Sequence, residues 1–156
     1  MLVIILALSA CAYGVISTCV LESVEVVGTS MVPTLRENGR YLLNRWEFNE
    51  REPARRDVVV IRDPVDHGFS VKRIIAVAGD VVIFQNGRVY VNGKPLREPY
   101  LVPGTRTEPN SSNAVYSIKC GRDEYFVLGD NRSASIDSRV YGPVSREGIL
   151  GLVMVH

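Results

Sequence analysis

Three stretches of this chain carry residue types and spacings suited to chemistry. The first is Gly28–Leu35, GTSMVPTL, with Ser30 near its centre. Proline presets its own φ near about −65° and biases the residue before it toward extended backbone. Val32 is therefore expected to be extended, with a turn at Pro33-Thr34. Gly28 permits close approach of the backbone. Ser30 then falls at an exposed strand-to-turn junction, which suits a nucleophile and equally suits an ordinary turn serine bonding its own backbone.

The second stretch is Ser70–Asp80, SVKRIIAVAGD. Alternation along a strand puts Lys72 on one face with Ser70, Ile74 and Ala76, and Arg73 on the other. A lysine among apolar neighbours loses hydration, its pKa falls, and the neutral amine can serve as a general base. An edge-strand lysine reaching water and deterring strand pairing would have the same sequence. The third stretch, Gly129–Pro143, reads GDNRSASIDSRVYGP. Asp130, Asp137, Arg132, Arg139, Asn131 and three serines crowd one loop behind an apolar strand, where Asp–Arg pairing would make it rigid, although a plain solvated turn would look similar.

The elements that must position these residues are mostly strands. Val24 and Val26 share one face of a strand, with Glu25 and Val27 on the other. Arg40–Asn44, Asp57–Arg62, Ser70–Val77, Asp80–Phe84, Val89–Val91, Ala114–Ile118, Glu124–Leu128 and Ile149–Val155 read as further strands. Arg45–Arg56 is charged, contains Pro53 and reads as a loop. Asn86-Gly87 and Asn92-Gly93 are hairpin signals. Arg97–Asn113, rich in Pro, Ser, Asn and Thr, reads as a long irregular excursion. No helical periodicity follows residue 21, so the expected fold is an antiparallel β domain over residues 22–156 with a small β-hairpin extension at about residues 81–117.

Residues 1–21 carry no charge. About twenty apolar residues at a helical rise of about 1.5 Å span a bilayer core of roughly 30 Å. A transmembrane anchor, a cleaved signal peptide and a buried core helix compete here; the stretch lacks a basic start and exceeds the apolar run of a usual signal peptide, and a retained anchor is the expected reading. The chain has 156 residues and a formal net charge of +1, which gives no argument for nucleic acid. Its three cysteines form neither a disulfide framework nor a zinc spacing, so neither a metal nor another cofactor is expected.

Together, GTSMVPTL, KRIIAVAGD and GDNRSASIDSRVYGPV, in this order behind an apolar span, resemble the type I signal peptidases. The resemblance covers nearly the whole chain and is weakest over Arg45–Arg56 and Arg97–Asn113. It implies paired antiparallel sheets, a Ser–Lys dyad, an acyl-enzyme intermediate, and cleavage of signal peptides from exported preproteins. It places the catalytic domain on the outer face of the cytoplasmic membrane, held by a single span in the lipid bilayer.

By motif position the resemblance makes Ser30 the nucleophile, Lys72 the general base and Ser135 the serine that hydrogen-bonds the lysine. Asp137 and Arg139 correspond to a bracing ion pair, and Asp130 and Asn131 to the turn that holds the site. Gly28, Val24, Val26, Met31, Leu35 and Val71 are implied to line shallow substrate pockets that favour small residues at positions −1 and −3. Some relatives supply a second oxyanion donor from a serine where this chain has Gly28. Relatives commonly have glycine where this chain has Arg56, before the DVVV strand.

Other readings differ at particular residues. A Ser–Lys autoprotease of the DNA-damage repressor type would carry a DNA-binding domain in place of the apolar span. An endoplasmic-reticulum-type enzyme would have histidine as base, whereas the base position here is Lys72 and His67 lies outside the motif. A non-enzymatic, membrane-anchored β module would leave Ser30 and Lys72 too far apart to react.

Overall fold

A computed structural model of the chain describes residues 21–109 and 115–155. It contains eleven strands: β1 (Leu21–Val26), β2 (Gly39–Asn44), β3 (Val58–Arg62), β4 (Phe69–Ala76), β5 (Val81–Gln85), β6 (Arg88–Val91), β7 (Lys94–Pro95), β8 (Val115–Lys119), β9 (Glu124–Leu128), β10 (Val144–Ser145) and β11 (Ile149–Met154). β1, β2, β11, β3, β4, β9 and β10 form one sheet in that order, and β7, β6, β5 and β8 a second. The strand pairs are antiparallel. The expected membrane span lies outside the described residues except for Leu21, which opens β1. Among the described residues no helix is long and apolar enough to cross a membrane.

Alternation sets the faces. In β1, Val26 is buried while Val27, just past the strand, is 84% exposed. Both Asn-Gly pairs form tight turns with positive φ at each residue, 53° and 74° at Asn86-Gly87 and 52° and 75° at Asn92-Gly93. This is the backbone that matches the twist of the strands they join. The loop expected over Arg45–Arg56 contains a single helical turn, α1 (Glu47–Glu50). The Asn44 side chain accepts from the backbone N–H groups of Trp46 and Glu47 at 3.0 and 3.1 Å, and Phe48 is buried beneath the Arg51 and Arg146 guanidinium groups. A turn this short carries no periodicity by which sequence could reveal it. The same holds for α2 (Ser138–Tyr141).

Two differences from the expected pattern have clear causes. The register of β4 against β9 shifts between Ile74 and Ala76, a bulge that inserts Ile75. Ile74 therefore packs with Val59, Ile61 and Val127, whereas Ala76 joins Ile75, Phe84 and Phe126 in a different cluster. Lys72 shares its face with Ser70 and Ile74, and Ala76 leaves it. The second is Arg56, whose φ is +80°. A residue with Cβ is strained there and glycine is not.

Candidate active site

Ser30 lies in a run of turns, Ser30–Thr34, in which Val32 N–H donates to the Thr29 carbonyl at 3.1 Å and Leu35 N–H to Met31 at 2.9 Å. The turn thus starts earlier than Pro33-Thr34 and takes in Val32, expected to be extended; the Val32–Pro33 peptide is cis. Gly28 has φ +97°, and a Cβ there would meet nothing within 4 Å. Its positive φ is a backbone conformation that favours glycine. The spacing of Met31 and Leu35 turns both inward. Each is 1% exposed and packs with Val26, Leu43, Val58 and Val60.

A cleft of about 430 Å³ opens beside Ser30. Of the residues expected in the substrate pockets, Val24, Val26 and Val71 line it, joined by Val60, Leu150 and Ser70. Met31, Leu35 and Gly28 do not; the first two lie in the core cluster that Val26 and Val60 share with them. Leu43, Val60 and Leu150 come from three different strands, and no local motif marks them.

Lys72 stands in the middle of β4, paired with Val59 of β3, and is 3% exposed. Burial pushes its pKa below the ordinary lysine value, opposed by the carboxylates of Asp137, Asp63 and Asp66. Its Nζ donates to the Val71 carbonyl at 3.3 Å, and Val71 and Ser30 line the same cleft. An amine kept out of water in this way loses part of the solvation that favours its cation.

The polar loop is fixed by its own ion pairs. Asp137, fully buried, accepts from Arg139 Nε and Nη2 at 2.8 and 2.9 Å and from the Gly129 N–H at 3.0 Å. Arg139 Nη2 also donates to the carbonyls of Arg132 and Ser135. Asn131 N–H donates to the Ser30 carbonyl at 2.9 Å, which joins the loop to the serine turn. Gly129 sits at the closest point: a Cβ there would fall 2.6 Å from the Ser30 carbonyl oxygen and 2.2 Å from Ser135 Oγ. Ser135 Oγ is buried and has no hydrogen-bond partner, so the bond to Lys72 implied by the resemblance is not made in this structure.

Sequence reasoning missed two features of the site. Arg73, on the opposite face from Lys72, reaches Asp130 with Nε and Nη2 at 2.9 and 2.7 Å, and both residues bond Thr34 in the serine turn. The signal available for Arg73 was its place directly after Lys72 on a strand. The other is Tyr141, which packs against the cluster that holds Val59 and Ile61 and whose buried hydroxyl lacks a partner. Burial, and then the charges of Asp63 and Asp137, push its phenol up.

Residues 1–156 match the family described as signal peptidase, peptidase S26. The chain belongs to that family. It is 38% identical over 148 residues to a probable signal peptidase I-2 of Synechocystis, covering 90% of this chain and 65% of that relative. It is 33% identical over 137 residues to signal peptidase I V of Bacillus subtilis, covering 83% of this chain and 81% of that one. Among solved structures, a signal peptidase I of Enterococcus faecalis superposes with a TM-score of 0.57 at 26% identity, over 67% of this chain and 98% of the other. The mostly β, antiparallel architecture is thus that of a signal peptidase I.

Proposed function

We propose that this chain is a serine endopeptidase that removes signal peptides from exported preproteins by a Ser30–Lys72 dyad. The observation that carries the reading is a buried lysine of lowered pKa, its amine against the carbonyl of a cleft residue that Ser30 also borders. A serine hydroxyl is a poor nucleophile until a base takes its proton. Neutral Lys72 takes that proton as Ser30 Oγ attacks the scissile carbonyl, and the resulting ammonium gives it to the leaving amine. The amine, neutral again, then deprotonates the water that hydrolyses the acyl-Ser30 ester. The Ser30 backbone N–H serves the oxyanion, where one donor is worth roughly 3–4 kcal/mol.

Ser135 supports the amine during this cycle. Its unpartnered hydroxyl costs about 1–3 kcal/mol while buried, so an N–H of Lys72 turning from Val71 to Ser135 relieves that cost. Asp130, Asn131, Asp137 and Arg139 hold the loop and the serine turn in place. The cleft lined by Val24, Val26 and Val71 accepts small side chains at −1 and −3 and excludes larger ones by overlap. Residues 1–21 anchor the chain by one span in the cytoplasmic membrane, and residues 22–156 form the catalytic domain outside it, with about 81–117 as a β extension.

Ser30→Ala and Lys72→Ala are each expected to lower preprotein processing by about 10³-fold or more, because nucleophile and base act as a unit. Circular dichroism of both variants should match the parent. A folded variant that still processes a preprotein at near-parent rate would remove the dyad from the mechanism.

A further inference from the structure

Residues 97–109 form neither helix nor strand, yet they complete the polar frame behind Ser30. We propose that this excursion is a clamp on the catalytic turn, with Glu98 and Tyr100 as positioning residues for Ser30. The proposal rests on the reading of Ser30 and Lys72 given above.

Two arms reach the serine turn. In the first, the Tyr100 ring lies against the Arg73 guanidinium, 4.0 Å from its centroid. Arg73 grips Asp130, and both bond Thr34, four residues after Ser30. In the second, Glu98 accepts from Arg132 Nη2 and Thr107 from Nη1, while Arg132 Nε donates to the Gly129 carbonyl at 3.0 Å. Gly129 is the residue packed against the Ser30 carbonyl. Tyr100 OH donates to Glu98 at 3.0 Å and ties the arms together. The excursion is itself held to the second sheet, where Thr107 N–H donates to the Gly87 carbonyl at 2.9 Å.

This is more than surface pairing. The Arg132 and Glu98 side chains are 1% and 11% exposed. A planar guanidinium whose three nitrogens are all engaged has one orientation, and it transmits that orientation to the Gly129 backbone. Glu98 and Tyr100 do not line the cleft beside Ser30. Their effect therefore falls on the alignment of Ser30 and not on substrate binding. Displacing a reacting group by about 1 Å costs about a hundredfold in rate.

The test uses the full chain and a signal-peptide substrate, with kcat expressed per active site titrated by a covalent serine-directed reagent. Glu98→Gln and Tyr100→Leu are each expected to lower kcat by about tenfold or more while KM changes less than about twofold. Tyr100→Phe keeps the ring on Arg73 and should hold kcat within about threefold of the parent. Should Glu98→Gln fail to fold, the Leu and Phe variants decide. Unchanged kcat per site in folded Tyr100→Leu, even with a lowered melting temperature, would show packing alone and overturn the clamp. A raised KM at constant kcat would overturn it as well. Ser30→Ala assayed beside them separates the two ideas: residual turnover there sinks the dyad, whereas an inactive Ser30→Ala beside a fully active Tyr100→Leu sinks only the clamp.

Discussion

In the proposed mechanism Lys72 carries the conflict between stability and chemistry at a single amine. Its burial lowers the pKa, and the same burial penalises the folded state whenever the amine is charged. The unfolded lysine titrates near about 10.4. Between the lowered folded value and about 10.4 the unfolded chain binds more protons, so the contribution of this group to stability rises with pH across that window. Lys72→Met is expected to be more stable than the parent by roughly 1–3 kcal/mol at pH 7. The gain should shrink as pH approaches the unfolded value, in paired denaturant titrations from neutral to alkaline pH. A parent more stable than the variant, or a difference independent of pH, would remove the buried amine as its source. In the proposed dyad activity follows the same proton. In the parent, kcat/KM should rise as pH passes upward through the lowered lysine value, and an acid limb near about 4 would indicate a carboxylate base instead.

Short elements aim these side chains. β4 presents Ser70 and Lys72 to one face through its pairing with β3, and the bulge at Ile75 then turns Ala76 toward the other cluster. The turn before β3 is anchored to β4 by Arg56 N–H donating to the Ile74 carbonyl at 2.8 Å, and the Arg56 carbonyl accepts from Arg73 at 2.9 Å. Left-handed backbone costs a residue with Cβ about 1–2 kcal/mol. Glycine loses about 0.5–1 kcal/mol through its greater unfolded freedom. The first effect is larger, so Arg56→Gly is expected to stabilise the protein by roughly 0.5–1 kcal/mol while Arg56→Ala gives no such gain. Urea titrations of both variants check this, and equal behaviour of the two would reject backbone strain as the cause.

The two sheets stand on a shared core. Phe126 and Leu128 of β9 pack with Ile75 and Ala76 of β4 and with Val82, Phe84, Val89 and Val91 of the second sheet. The Phe84 and Phe126 ring centroids are 5.8 Å apart. Cys120 is buried in the same cluster, where burial pushes its thiol up to about 11 and keeps it protonated. The second sheet is therefore expected to unfold together with the first. Phe126→Ala should cost about 3–5 kcal/mol, with one transition seen both by far-ultraviolet dichroism and by hydrogen exchange of β5 and β6 amides. Separate transitions for the two sheets would show that the extension folds by itself.

Local rules made much of this protein legible from its residues. Strand alternation and two Asn-Gly turns were enough to expect antiparallel sheets and the face that Lys72 shares with Ser70 and Ile74, while the joining of the three stretches into one site came from the family resemblance. These signals depend on neighbours within a few residues, so composition and spacing carry them. Tertiary structure alone decided the rest. The bulge at Ile75 depends on how β4 meets β9, and the cleft floor depends on Leu43, Val60 and Leu150 arriving from separate strands. Met31 and Leu35 became core and not pocket walls because the serine turn coils them inward. The long excursion read as irregular because its order comes from partners far away in sequence. Glu98 meets Arg132 and Tyr100 meets Arg73 across tens of residues, and no local pattern encodes a contact made only when two loops close on one turn.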